Sequence, residues 1–243
     1  MSTKSQSTIS RRGFIRAAGL TSAGLALLPQ APSSKASGLN LFVLPDSVAP
    51  PTPDEALRLL VEGNARYVQC EALGLNRGPR RREEQYSHQT PFAAVLDCID
   101  SRVPPEIFFD RGVGDMFVPR AAGQTLDSAV IGSIEFAVSD PYNVPLIMVL
   151  GHEECGAVKG AIKYVDNPKD PPPGDILYIV KQIAPAVPRR GNANRLERAI
   201  TNNVKRVIDE LKERDIIAKA IAAGRLKIVG AECSLKSGKV KIY

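Results

Sequence analysis

Three side chains that favour a soft metal stand in two short segments of this chain. Cys98 opens Cys98-Ile99-Asp100-Ser101-Arg102, and His152 and Cys155 sit in Gly151-His152-Glu153-Glu154-Cys155-Gly156. Two thiolates and one imidazole make a mixed sulfur and nitrogen set suited to zinc, and three protein ligands leave one tetrahedral position for water or substrate. An open position is the mark of a catalytic rather than a structural zinc. Spacing alone leaves a second reading standing, because free cysteine is often simply buried and a neighbouring histidine can be a core residue. Asp100 and Arg102, two residues apart, read by themselves as a surface ion pair. His88, the other of the chain's two histidines, is a candidate proton shuttle or only a loop residue. Cys70 and Cys233 are read as two separate buried thiols rather than a pair.

The elements that must carry these residues follow from pattern. Phe92 to Leu96 and Val144 to Leu150 are short apolar runs bounded by Pro91 and Gly151, as buried parallel strands are. Between them a strand at Met116 to Val118 and an amphipathic helix from Ser128 to Val138 continue a βαβ alternation. A first helix starts near Pro53, with Ala56, Leu57, Leu60, Val61, Ala65 and Val68 at helical spacing and two acids after the proline. The four prolines between residues 168 and 173 demand a loop. Helices follow around Ala193 to Lys212 and Ile216 to Ala223, then strands at Leu226 to Ala231 and Lys239 to Tyr243. The fold class expected is α/β, a Rossmann-like central sheet of four parallel strands plus a C-terminal edge strand, flanked by helices. In such sheets ligands bind beyond the carboxyl ends of the strands, where Cys98 and His152 fall.

A formal net charge of +6 in 243 residues suggests nucleic acid until its location is checked. Met1 to Ala36 holds Lys4, Arg11, Arg12, Arg16 and Lys35 and no acid, so subtracting those five from six leaves +1 for the rest. With 5% aromatics and no tryptophan there is no stacking surface for bases, and nucleic acid is excluded as a partner. Ser10-Arg11-Arg12-Gly13-Phe14-Ile15 resembles a twin-arginine export signal. The apolar run Ala17 to Leu28 after it is shorter than the ~20 residues a membrane span needs, so no stable anchor is expected. The organisation expected is a signal peptide over 1–36, a proline-rich arm over 37–52 and one domain over 53–243, with a periplasmic or secreted location.

Both metal segments closely resemble the β-class carbonic anhydrases, whose signature joins Cys-x-Asp-Ser-Arg to His-x-x-Cys. The likeness extends through Gly63-Asn64-Ala65-Arg66-Tyr67, Arg102-Val103-Pro104-Pro105-Glu106, Gly132 to Ala137, Cys155 to Lys159 and Gly224 to Gly230. The resemblance implies one zinc per chain on Cys98, His152 and Cys155, and reversible hydration of carbon dioxide to bicarbonate. It implies a catalytic dyad of Asp100 and Arg102, with Asp100 able to become a fourth ligand in a closed state. Gln89 matches a glutamine that hydrogen-bonds substrate, Gly156 an amide near the bicarbonate oxygen, and Phe117 an aromatic pocket wall; read by itself, Gln89 is equally a turn residue. Ala122 and Gln124 depart from relatives, which implies an altered pocket rim, and the missing tryptophan implies that bicarbonate regulation of the kind seen in part of the family is absent or altered. Relatives assemble as dimers or dimers of dimers with pocket residues drawn from both chains, so a homodimer or homotetramer is expected. Two alternatives stay open: a carbon disulfide-type hydrolase on the same fold, and a non-catalytic zinc protein.

Overall fold

The computed structural model describes residues 51–191 and 193–243. The export signal and nearly all of the arm lie outside the described residues. Helix α1 (Pro53–Val68) begins where sequence pattern places it: Thr52 caps it in a reciprocal capping box with Glu55, and Pro53 occupies the first turn. Ala56, Leu60, Gly63 and Asn64 form its buried face.

The remaining elements are α2 (Pro79–Glu84), β1 (Ala93–Asp97), α3 (Pro105–Phe108), β2 (Met116–Phe117), α4 (Ser128–Val138), β3 (Leu146–His152), α5 (Gly156–Asp166), α6 (Ile176–Ile183), α7 (Arg195–Lys212), α8 (Asp215–Ala222), β4 (Lys227–Cys233) and β5 (Val240–Ile242). The strands form one sheet in the order β2-β1-β3-β4-β5, parallel except for β5, which runs antiparallel to β4. The α/β expectation of four parallel strands and a C-terminal edge strand therefore holds. Boundaries shift by a residue or two; α7 starts at Arg195 because Asn194 is in the left-handed region at φ 53°.

Every residue of β1 and β3 is buried, and alternation along the pleat splits them between two cores. Ala93, Val95, Leu146, Met148 and Leu150 face one side with α1, α3, α5 and α6. Ala94, Leu96, Ile147 and Val149 face the other, with α4 and α8. Helix α7 serves both, giving Ala199 and Ile200 to the first and Val204, Val207 and Leu211 to the second. The doubly covered sheet thus brings the carboxyl ends of β1 and β3 side by side, with Asp97 opposite Leu150 in register.

Candidate metal centre

Cys98 directly follows β1, His152 is the last residue of β3, and Cys155 caps the N-terminus of α5. Glu154 takes the left-handed conformation at φ 58°, which helps turn the chain from strand to helix within three residues. Glu153 anchors this turn to β4: its N–H donates to Cys233 O (3.0 Å), and its carboxylate accepts from Ser234 Oγ (3.0 Å) and the Leu235 N–H (2.9 Å). The result is that one ligand atom from each of Cys98, His152 and Cys155 lies within 4.8 Å of the others. All three residues are buried, at 4%, 0% and 1% exposure, too little for any of them to be a surface group that meets the others by chance.

Donor chemistry fits a soft dication. Nδ1 of His152 lies 2.8 Å from Glu153 O; a carbonyl only accepts, so Nδ1 carries the proton and Nε2 presents its lone pair. Among the described residues no well-formed hydrogen bond reaches that buried Nε2, a costly state for a polar atom unless it coordinates, and the Cys98 sulfur is the polar group that faces it. Cys98 Sγ accepts the Gly123 N–H at 3.3 Å. The Val158 and Ala157 amides, in the first turn of α5, approach Cys155 and favour its thiolate. A hydrogen bond from Cys155 is the main reason the Cys98 thiol is held far below its usual range, with His152 and the Gly123 amide adding to it against the cost of burial. The same contact, with burial and the Cys98 charge, pushes Cys155 up. Burial opposes charge on His152, but the Cys98 thiolate outweighs it and raises the imidazole. A dication replaces such protons and lets both sulfurs ionise.

At the edge of this cluster Arg102 grips Asp100 in a planar fork, Nε to Oδ1 at 2.9 Å and Nη2 to Oδ2 at 2.7 Å, while the Arg102 N–H also donates to Oδ1 at 3.0 Å. These Arg102 contacts hold the Asp100 carboxyl well below the usual range despite some burial. In this arrangement Asp100 is not among the converging ligand atoms. Arg120, which sequence reading passed over, fastens the loop: its Nε donates to Cys98 O and its Nη2 to Asp100 O, both at 2.7 Å. Beneath it Asp97 is fully buried, and loss of solvation pushes its carboxyl up to about 8, outweighing the Cys98 amide and the nearby Arg120.

The other expected site residues are distributed differently. Gly156 opens α5 beside Cys155, and a side chain there would meet open space. Gln89 and Phe117 belong to another patch: Gln89 Nε2 donates to Tyr142 Oη at 3.4 Å, and the Tyr142 ring stands edge-on to Phe117 at 5.1 Å. Phe117 pairs in register with Ala94, three residues before the end of β1 and so about 10 Å back along the strand. His88 is exposed beside Ser87 Oγ. Cys70 and Cys233 are separate free thiols, but only Cys233 is buried; Cys70 is exposed at a left-handed turn. Gln124 is no rim residue: it is 2% exposed, and its Nε2 holds Leu150 O at 2.9 Å. Asn203 on α7, also unanticipated, reaches Gly123 O at 2.7 Å. A buried asparagine within the apolar stripe of α7 is the signal that could have drawn attention to it.

Fold and site together define an open α/β protein with a two-sulfur, one-nitrogen metal centre at the carboxyl edge of its parallel strands. Residues 93–240 match the family described as carbonic anhydrase. The chain is 40% identical over 193 residues to a carbonic anhydrase of Mycolicibacterium smegmatis, covering 78% of this chain and 93% of that one. It is also 40% identical over 190 residues to carbonic anhydrase 2 of Mycobacterium tuberculosis, covering 77% and 91%. Its fold matches that of tetrameric β-carbonic anhydrases from Sordaria macrospora with a TM-score of 0.60 at 22% identity, over 77% of this chain and 96% of theirs. The chain belongs to the β-class carbonic anhydrase family.

Proposed function

We propose that this protein is a zinc enzyme that interconverts carbon dioxide and bicarbonate. The observation that carries the reading is the convergence of Cys98, His152 and Cys155 around an imidazole Nε2 that has no other partner, with the Asp100–Arg102 fork at its edge. Zinc, when bound by these three residues, supplies the Lewis acidity that brings the pKa of water to about 7. The chain's own residues do the rest. Arg102 keeps Asp100 ionised and fixed, so that its carboxylate can accept a hydrogen bond from the attacking oxygen and orient it. The Gly156 amide, at the start of α5, offers a donor to the product's developing negative charge.

A purely structural metal would be expected to have four protein ligands; among the described residues three converge, and Asp100 is held apart. In stopped-flow hydration assays, Asp100→Ala should lose about 10- to 100-fold in rate with zinc content unchanged. An unchanged rate would contradict the dyad's role.

Gln89 and Phe117 are assigned to the pocket of a second copy. Supporting this are their separation from the Cys98 cluster within one chain and the exposure of Phe136 (57%) beside Phe117. A groove of about 550 Å³ lined by Phe117, Pro119, Ala129, Gly132 and Phe136 suits a homodimer contact, and a homotetramer follows if two such dimers pair. For location, the paired Arg11 and Arg12 ahead of an apolar run support twin-arginine export of a folded, metal-loaded domain to the periplasm or outside the cell. Replacing both arginines by lysine should leave the chain uncleaved inside the cell, and continued export would overturn this.

A further inference from the structure

We propose that Asn203 is a positioning residue for the metal centre, one that holds the Gly123 N–H on the Cys98 sulfur and so tunes that ligand. The inference rests on the zinc reading above.

Asn203 interrupts the apolar stripe of α7, which buries Ala199, Ile200, Val204, Val207, Ile208 and Leu211. At 1% exposure its carboxamide is costly to bury unless paired, and packing alone would be better served by leucine. Its Nδ2 donates to Gly123 O at 2.7 Å, and its Oδ1 accepts from Arg206 Nη2 at 3.4 Å, which fixes the amide's orientation. Gly123 in turn donates its N–H to Cys98 Sγ. It sits in the left-handed region at φ 65°, closed in by Ile183 Cδ1 at 2.5 Å and Ala157 Cβ at 3.1 Å from where a side chain would begin. The next residue, Gln124, ties the turn to Leu150 O, two residues before His152 on β3.

Two buried carboxamides therefore clamp one tight turn, and that turn aims a single N–H at one ligand. Hydrogen bonds to an ionised acceptor are the strong ones. Drawing charge from the Cys98 thiolate lowers its donation to the metal, while holding the turn keeps the sulfur in place. Partners of this kind outside the ligand set are worth about 10- to 100-fold in metal affinity.

The test uses the full domain loaded with cobalt(II), whose thiolate charge-transfer band reports sulfur donation directly. Presence of that band in the unaltered protein tests the metal reading separately. In Asn203→Leu the band should move to lower energy, and zinc affinity by chelator competition should fall by about tenfold or more. Asn203→Ser, smaller and able to admit water, should show the same direction if the leucine variant folds poorly. Asn202→Ala, which removes a neighbouring amide bonded to Ala186 O at 3.1 Å, serves as a helix control and should leave the band in place. Variants of Asn203 that melt earlier but keep the band and the zinc affinity would overturn the proposal.

Discussion

Arg102 shows how much a single residue type decides here. Both of its fork contacts to Asp100 are under 3.0 Å, and lysine offers a single point charge in place of the planar fork. Arg102→Lys should keep zinc but lose at least about tenfold in hydration rate, a comparison best made by metal analysis alongside stopped flow. Asp166 makes a contrasting, purely structural prediction. Arg195 and Arg190 side chains hold its carboxyl well below the ordinary range. A carboxyl depressed on folding contributes stability above its unfolded pKa of about 4 and loses it as pH falls toward the folded value. Asp166→Asn should therefore melt below the unaltered protein at neutral pH, with the gap closing under acid; a gap that widens would contradict the ion-pair account. The three candidate ligands were legible in sequence through their family resemblance, because their spacing at strand ends left a buried-core reading standing. Gly123, Gln124, Arg120 and Asn203 were not, because their roles depend on backbone groups that only the folded turn brings into reach.

At the scale of elements, α1 illustrates why a motif legible as resemblance acquires a physical cause only in three dimensions. Gly63 lies against Phe109 O with no room for a Cβ. Asn64 donates to Phe108 O (3.1 Å) and Gly238 O (2.9 Å) and accepts the Val240 N–H (2.9 Å), tying α1 to α3 and β5. Asn64→Leu removes all three bonds and orphans buried backbone groups, so stability should drop by about 3 kcal/mol in urea titration, with zinc binding little changed since α1 supplies no ligand. The strands were legible since full burial on both faces leaves unbroken apolar runs at β1 and β3. Helices α5 and α6 were not announced. The glycines at 156 and 160 and the preceding Glu153-Glu154 pair obscure the start of α5, and α6 is only eight residues long.

For the whole molecule, the proposed assembly joins two pieces that one chain keeps apart, the Cys98 cluster and the Gln89–Phe117 patch. Phe136 stands exposed beside Phe117 and Tyr142, so Phe136→Glu should shift the protein toward monomer in sedimentation and lower hydration activity while zinc stays bound. Full activity in a monomeric variant would contradict a shared pocket. Sequence could assign Gln89 and Phe117 to a pocket only through resemblance, because no pattern along one chain encodes which copy a side chain serves. The charge distribution was legible without any structure: removing the basic first 36 residues leaves a nearly neutral remainder, as befits an uncharged gas and a small anion.

X-ray absorption at the zinc edge of the purified protein tests the central claim most directly. The account predicts one zinc per chain with two sulfurs at about 2.3 Å, one imidazole nitrogen at about 2.0–2.1 Å and one further light atom, and loss of one sulfur in Cys98→Ser. Absence of zinc, or a shell without two sulfurs, would contradict it.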